Sequence, residues 1–119
     1  MDQSNVVLRY RDGRTERVPR VEINADQQFA VVVHDDAPAE VPFSTLKAIF
    51  FPRAGADDEI ETATGSTISV EFADGEVIRG VAHYNPERNG FFLFPHDRSK
   101  NDRIFVVNSA IVSIEVEKL

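Results

Sequence analysis

Five arginines fall within the twelve residues from Arg9 to Arg20, namely Arg9, Arg11, Arg14, Arg17 and Arg20. Guanidinium forks at that density suit a phosphate, a nucleotide or a strip of carboxylates on a partner. Asp12 and Glu16 lie among them and dilute the charge, so a solvated strand face is the competing explanation. Two charged stretches supply further candidates. They are Asn85-Pro86-Glu87-Arg88-Asn89 and the run from Asp97 through Arg98, Lys100 and Arg103. Loops on a rigid scaffold are where recognition usually sits. Asn85, Arg88, Asn89, Arg98, Lys100 and Arg103 therefore join Arg9, Arg11, Arg14 and Arg17 as candidate binding residues. His34-Asp35 and His96-Asp97 have the ligand types of a divalent metal site. Nothing in the sequence brings the two pairs together, and polar strand ends facing water explain them as well. No metal site is expected, and His83 reads as part of a strand face.

Other chemistry has little to stand on. There is no cysteine, which removes disulfides, thiolate ligands and a thiol nucleophile. No Gly-x-Ser-x-Gly elbow or phosphate-cradling glycine loop occurs. The carboxylates fall at turns and in an acidic middle segment rather than in a tuned pair. Neither an enzyme nor a cofactor is expected. The net charge of −7 divides as −2 over residues 1–51, −3 over 52–66 and −2 over 67–119. That sign argues against a broad nucleic-acid surface, which needs clustered Lys and Arg. No apolar run approaches the roughly 20 residues of a membrane helix. Met1 to Asn5 lacks the basic start of a secretion signal. Together these features point to a cytoplasmic protein without membrane contact.

The elements that must position these residues read as strands. Val6, Leu8 and Tyr10 alternate with Val7, Arg9 and Arg11, and Asp12-Gly13 follows. Ile68, Val70 and Phe72 alternate with Ser69, Glu71 and Ala73 before Asp74-Gly75, 62 residues later. A period of two buries one strand face, and Asp-Gly favours the positive φ angles of a tight hairpin turn. The same offset relates Phe29–Asp35 to Phe91–Asp97. With one inserted residue, Phe43–Phe51 resembles Val107–Val116. Each half thus reads strand, Asp-Gly turn, three strands in succession, a short polar corner and a last strand. The pattern predicts an internal duplication, with convergent strand patterning as the alternative. Ser44 to Lys47 could form one helical turn, and no longer helix is expected. Residues 52–66, rich in Pro, Gly and acids, read as a solvated linker between units 1–51 and 67–119.

The second half resembles the small five-stranded scaffold of Sm, LSm and Hfq proteins. Val70 to Gly80 matches that family's first strand, Asp-Gly turn and second strand with its glycine. Tyr84-Asn85 stands where the family has an aromatic residue followed by Asp, and Asn89 stands near its nucleotide-contacting Asn. Val106 to Ile114 keeps the last two strands and their corner. The family's Arg-Gly pair at that corner is replaced by Val107-Asn108, and Gln27 occupies the place of Asn89 in the first half. The resemblance implies the scaffold, and its nucleotide site only in degenerate form. Arginines before a barrel also occur in PilZ-type cyclic-dinucleotide sites, but the second motif of that family, Asp/Asn-x-Ser-x-x-Gly, is absent. The segments Leu46–Phe51 and Gly90–Val106 resemble an uncharacterised domain of bacterial regulatory proteins.

The resulting expectation is an all-β protein of two tandem Sm-like or SH3-like five-stranded barrels. One merged β-sandwich or barrel is the alternative. Its expected function is that of a non-enzymatic protein-interaction or adaptor module in bacterial regulation. It would bind a protein partner, or another copy of itself, through an edge strand or the charged loops. The alternative is nucleic-acid or nucleotide binding through the degenerate Sm-like site and the arginine-rich hairpin.

Overall fold

The computed structural model describes residues 6–24, 28–34, 37–52, 65–84, 87–95 and 101–117. Residues 53–64, the greater part of the expected linker, lie outside these. The described chain is all-β. In order it forms β1 (Val6–Tyr10), β2 (Thr15–Val18), β3 (Arg20–Asn24), β4 (Phe29–His34), β5 (Ala37–Pro42) and β6 (Leu46–Pro52). The second half supplies β7 (Ser66–Phe72), β8 (Val77–Ala82), β9 (Gly90–Pro95), β10 (Asn101–Val107) and β11 (Ile111–Val116). Single 3₁₀ turns at Phe43–Thr45 and Asn108–Ala110 form the polar corners before β6 and β11. The first of these overlaps the one helical turn expected there.

Both Asp-Gly sequences close hairpins, with a geometry slightly different from the expected one. Gly13 N–H donates to the Tyr10 carbonyl at 3.1 Å, and Gly75 N–H to the Phe72 carbonyl at 2.9 Å. Gly13 and Gly75 have φ of +96° and +90°, while Asp12 and Asp74 keep negative φ. These are three-residue loops with a glycine bulge, in which the glycine alone of each pair takes a positive φ. The aspartates act through their side chains, which accept the Arg14 and Glu76 N–H groups at 2.9 and 3.0 Å.

The strands form an eight-stranded sheet, β11-β7-β8-β9-β10-β6-β1-β2, and a three-stranded sheet, β3-β4-β5. Two five-stranded barrels were expected, and among the described residues strand pairing closes neither. Instead β10 of the second half pairs antiparallel with β6 of the first, Phe105 opposite Ile49 and Val106 opposite Ala48. The reason lies in their composition. Ala48-Ile49-Phe50 and Ile104-Phe105-Val106-Val107 are buried at every position, so each strand is apolar on both faces. Such a strand belongs in the middle of a sheet with neighbours on both sides. Pairing β10 with β6 gives both what they need and joins the halves through one core. Leu8, Leu46 and Ile49 from the first half share that core with Ile68, Val70, Leu93 and Phe105 from the second.

The halves keep corresponding strand orders, β6-β1-β2 then β3-β4-β5 against β11-β7-β8-β9-β10. They differ at Pro19, which separates β2 from β3 and lets them enter different sheets. In the second half β8 runs unbroken, pairing with both β7 and β9. Gly80 makes this possible. A Cβ there would lie 2.3 Å from the Phe94 carbonyl oxygen and 2.7 Å from Leu93 Cδ2. Gly80→Ala should therefore cost about 1–3 kcal/mol through overpacking against backbone, read as a lower urea midpoint.

Candidate binding surfaces

The N-terminal arginines are largely engaged within the molecule. Arg9 Nη1 meets both Glu76 carboxylate oxygens at 3.2–3.3 Å, and its guanidinium lies 4.7 Å from the Phe50 ring centroid. Arg11 donates to the Leu46 and Phe43 carbonyls at 2.9 and 3.2 Å and to the Ser109 hydroxyl. Arg14 pairs with Asp12 at 2.7 Å and packs on Tyr10, and Arg20 pairs with Glu22. Arg17 is exposed on β2. Arg9 and Arg11 fasten the first hairpin to the second half and to the corner before β6. Alternation along one strand face was visible in the sequence, but their partners lie 32 to 98 residues away.

A cation that the sequence reading passed over completes this network. Lys47, only 5% exposed, reaches the second hairpin, donating to Asp74 at 2.8 Å and to Glu76 while lying over the Phe72 ring. The Lys47 hydrogen bond, followed by the Glu76 N–H, holds the Asp74 carboxyl below the usual carboxylate range.

Tyr10, in the first hairpin, donates to Glu16 at 2.6 Å. Burial, then Glu16, pushes its phenol up to about 12. The folded state thus favours the neutral phenol. That contribution is complete below pH about 10, the ordinary phenol value, and is lost as the pH rises toward the folded value. Absorbance titration should show Tyr10 ionising only as the fold melts in alkali, a step that Tyr10→Phe removes.

Arg88 and Arg103 come together elsewhere, at a cleft of about 780 Å³ between β3 and the β9-β10-β6 region. Its walls are aromatic. Phe51 and Phe92 have centroids 6.0 Å apart, and the Arg103 guanidinium lies 5.0 Å from each. Tyr84 meets Phe91 edge-on at 5.3 Å. Among the described residues lining this cleft, none is acidic. The aromatic wall was missed in sequence, although Phe91-Phe92-Leu93-Phe94 breaks the alternation that one buried face requires. A period of two makes Phe91 and Leu93 core, and both are buried, which leaves Phe92 for the other face, 37% exposed.

Asn89 lies in an adjoining polar hollow with Arg88, Asn108 and Ser109. Asn108 opens the 3₁₀ corner before β11. Its N–H donates to the Asn89 carbonyl at 2.9 Å, and its amide donates to the Arg88 carbonyl at 2.6 Å. Asn108 thus ties the corner to the 87–89 loop. Asn85, Arg98 and Lys100 lie outside the described residues, as do Asp35, His96 and Asp97 of the His-Asp pairs. No cluster of three potential metal ligands occurs among the described residues.

A third surface is the edge strand β11, which among the described residues pairs with β7 alone. Glu117 N–H donates to the Thr67 carbonyl at 2.8 Å. By the alternation of an antiparallel ladder, Ile114 and Val116 then turn their backbone groups outward. Their side chains stand on the core face opposite Val70 and Ile68. Val112 and Val116 are 60% and 45% exposed. The other edges are guarded. β2 has four residues and stops before Pro19, β3 carries the Arg20–Glu22 pair, and β5 carries Pro38 and Pro42.

Among the described residues, no helix is long and apolar enough to cross a membrane. No curated protein and no solved structure matches the chain. One family model does, over residues 2–118. The chain therefore belongs to DUF6982, a family of unknown function.

Proposed function

We propose that this protein is a non-enzymatic interaction module that captures an extended segment of a partner protein along β11. The observation that carries this reading is an edge strand with outward-facing backbone groups and exposed valines, in a molecule whose other edges are guarded. An added antiparallel strand would gain main-chain hydrogen bonds from Ile114 and Val116. It would set its own apolar side chains against theirs. Its alternate residues would face Ser113 and Glu115, so a basic, apolar-alternating segment fits best. Pairing of β11 with a second copy of itself fits less well, since it would bring acidic residues of the two strands together. The hairpin arginines favour the protein-binding reading over nucleic acid, because Arg9, Arg11 and Arg14 already have partners. The corresponding strand orders support descent of the halves from one small β-unit.

The test is titration with a short peptide of alternating valine and lysine, followed by amide NMR. Shifts should concentrate on β11 and vanish when a central valine of the peptide becomes proline. Val116→Asp should weaken binding at least tenfold. Shifts elsewhere, or unchanged binding by Val116→Asp, would overturn the assignment. Nuclease-sensitive capture of RNA or DNA from a lysate would favour the nucleic-acid alternative.

A further inference from the structure

We infer that the aromatic cleft between β3 and the β9-β10-β6 region binds a small anion with a flat apolar body, an aromatic carboxylate or phosphate. This is a separate site from the β11 edge and does not depend on it. Its volume of about 780 Å³ lies within the roughly 300–1,000 Å³ usual for small-molecule sites. Phe51, Phe92 and Tyr84 offer ring faces and edges against which a planar group can stack.

The polar groups set the charge of the ligand. Arg103 is half-buried and lies over two rings, and among the described residues its guanidinium meets no carboxylate. Stacking restrains the plane of a guanidinium while leaving its N–H donors at the edge, the geometry that receives a carboxylate or phosphate. Arg88 adds a second positive charge to the lining. In a chain of net charge −7, a cleft whose described lining residues include two arginines and no acid is a local reversal of sign. Such a reversal attracts and retains anions. An uncharged aromatic molecule would leave both guanidiniums unanswered, and a purely inorganic anion would leave the ring faces uncovered.

Calorimetric titration of the full chain with 2-naphthoate, AMP and neutral 2-naphthamide tests this. One saturable site for 2-naphthoate or AMP is expected, with the amide at least tenfold weaker. Tighter binding of AMP identifies a phosphate ligand, and tighter binding of naphthoate a carboxylate. Arg103→Gln should weaken the anion at least tenfold and leave the amide unchanged, and Arg88→Gln should act in the same direction. Should Arg103→Gln fail to fold, Arg88→Gln and Phe92→Ala still decide the matter. The exposed control Arg17→Gln should bind as the parent does. Absence of saturable binding by either anion, or full affinity in the folded cleft variants, would overturn the proposal.

Discussion

Leu93→Asp should unfold the entire protein, not only the second half. Leu93 is fully buried in β9, opposite Ile104 on one side and Ala82 on the other, and lies against Gly80. An aspartate there loses the packing of a leucine, which alone costs about 2–5 kcal/mol, and buries an unpaired charge besides. Domains are stable by only about 5–15 kcal/mol, so the sum consumes most or all of that margin. The collapse spreads because β9 flanks β10, and β10 is the strand that β6 needs on its second side. The two-dimensional NMR spectrum should lose dispersion for β1 and β6 as well as for β7 to β9. Native shifts persisting in β1 and β6 would show that the first half folds by itself.

The second large effect concerns Lys47, and its sign depends on which partner is removed. Replacing Asp74 and Glu76 with Asn and Gln leaves the buried Lys47 ammonium without a countercharge. An uncompensated buried cation costs about 3 kcal/mol or more. Lys47→Met should cost much less, because methionine fills the space over Phe72 while the exposed Asp74 carboxylate turns to water and Glu76 keeps its pair with Arg9. Urea denaturation of the two variants should therefore rank Lys47→Met well above the double amide. Equal losses would mean that the carboxylates, not the cation, dominate. Acid gives an independent check. Because Asp74 is held below its ordinary range, its contribution is complete above the unfolded carboxylate value, near pH 4, and is lost as the pH falls. The Lys47→Met variant should show less of this acid-dependent loss.

Other features of the structure separate what is local from what is not. The alternation of Val6, Leu8 and Tyr10, and of Ile68, Val70 and Phe72, is a property of consecutive residues, and those strands form where the pattern sets them. The Asp-Gly hairpins and the 3₁₀ corners likewise rest on backbone preferences a few residues long. Even Asp12 and Asp74, whose turns differ from the expected type, act within two residues of their own position.

By itself, then, the sequence determined an all-β chain, its hairpins and corners, and two halves of matching strand order. Only the tertiary structure decided that β6 and β10 join those halves in one sheet, that Arg9 and Arg11 serve as fastenings, that Lys47 bridges to the second hairpin, and that Phe51, Phe92 and Arg103 share a cleft. The physical reason is that strand formation is written in a period of two, whereas the choice of neighbour is not. An apolar strand such as β10 accepts any other apolar strand on either side. Which one it meets is settled by the packing of the whole core, and that choice also positions the side chains left at the surface.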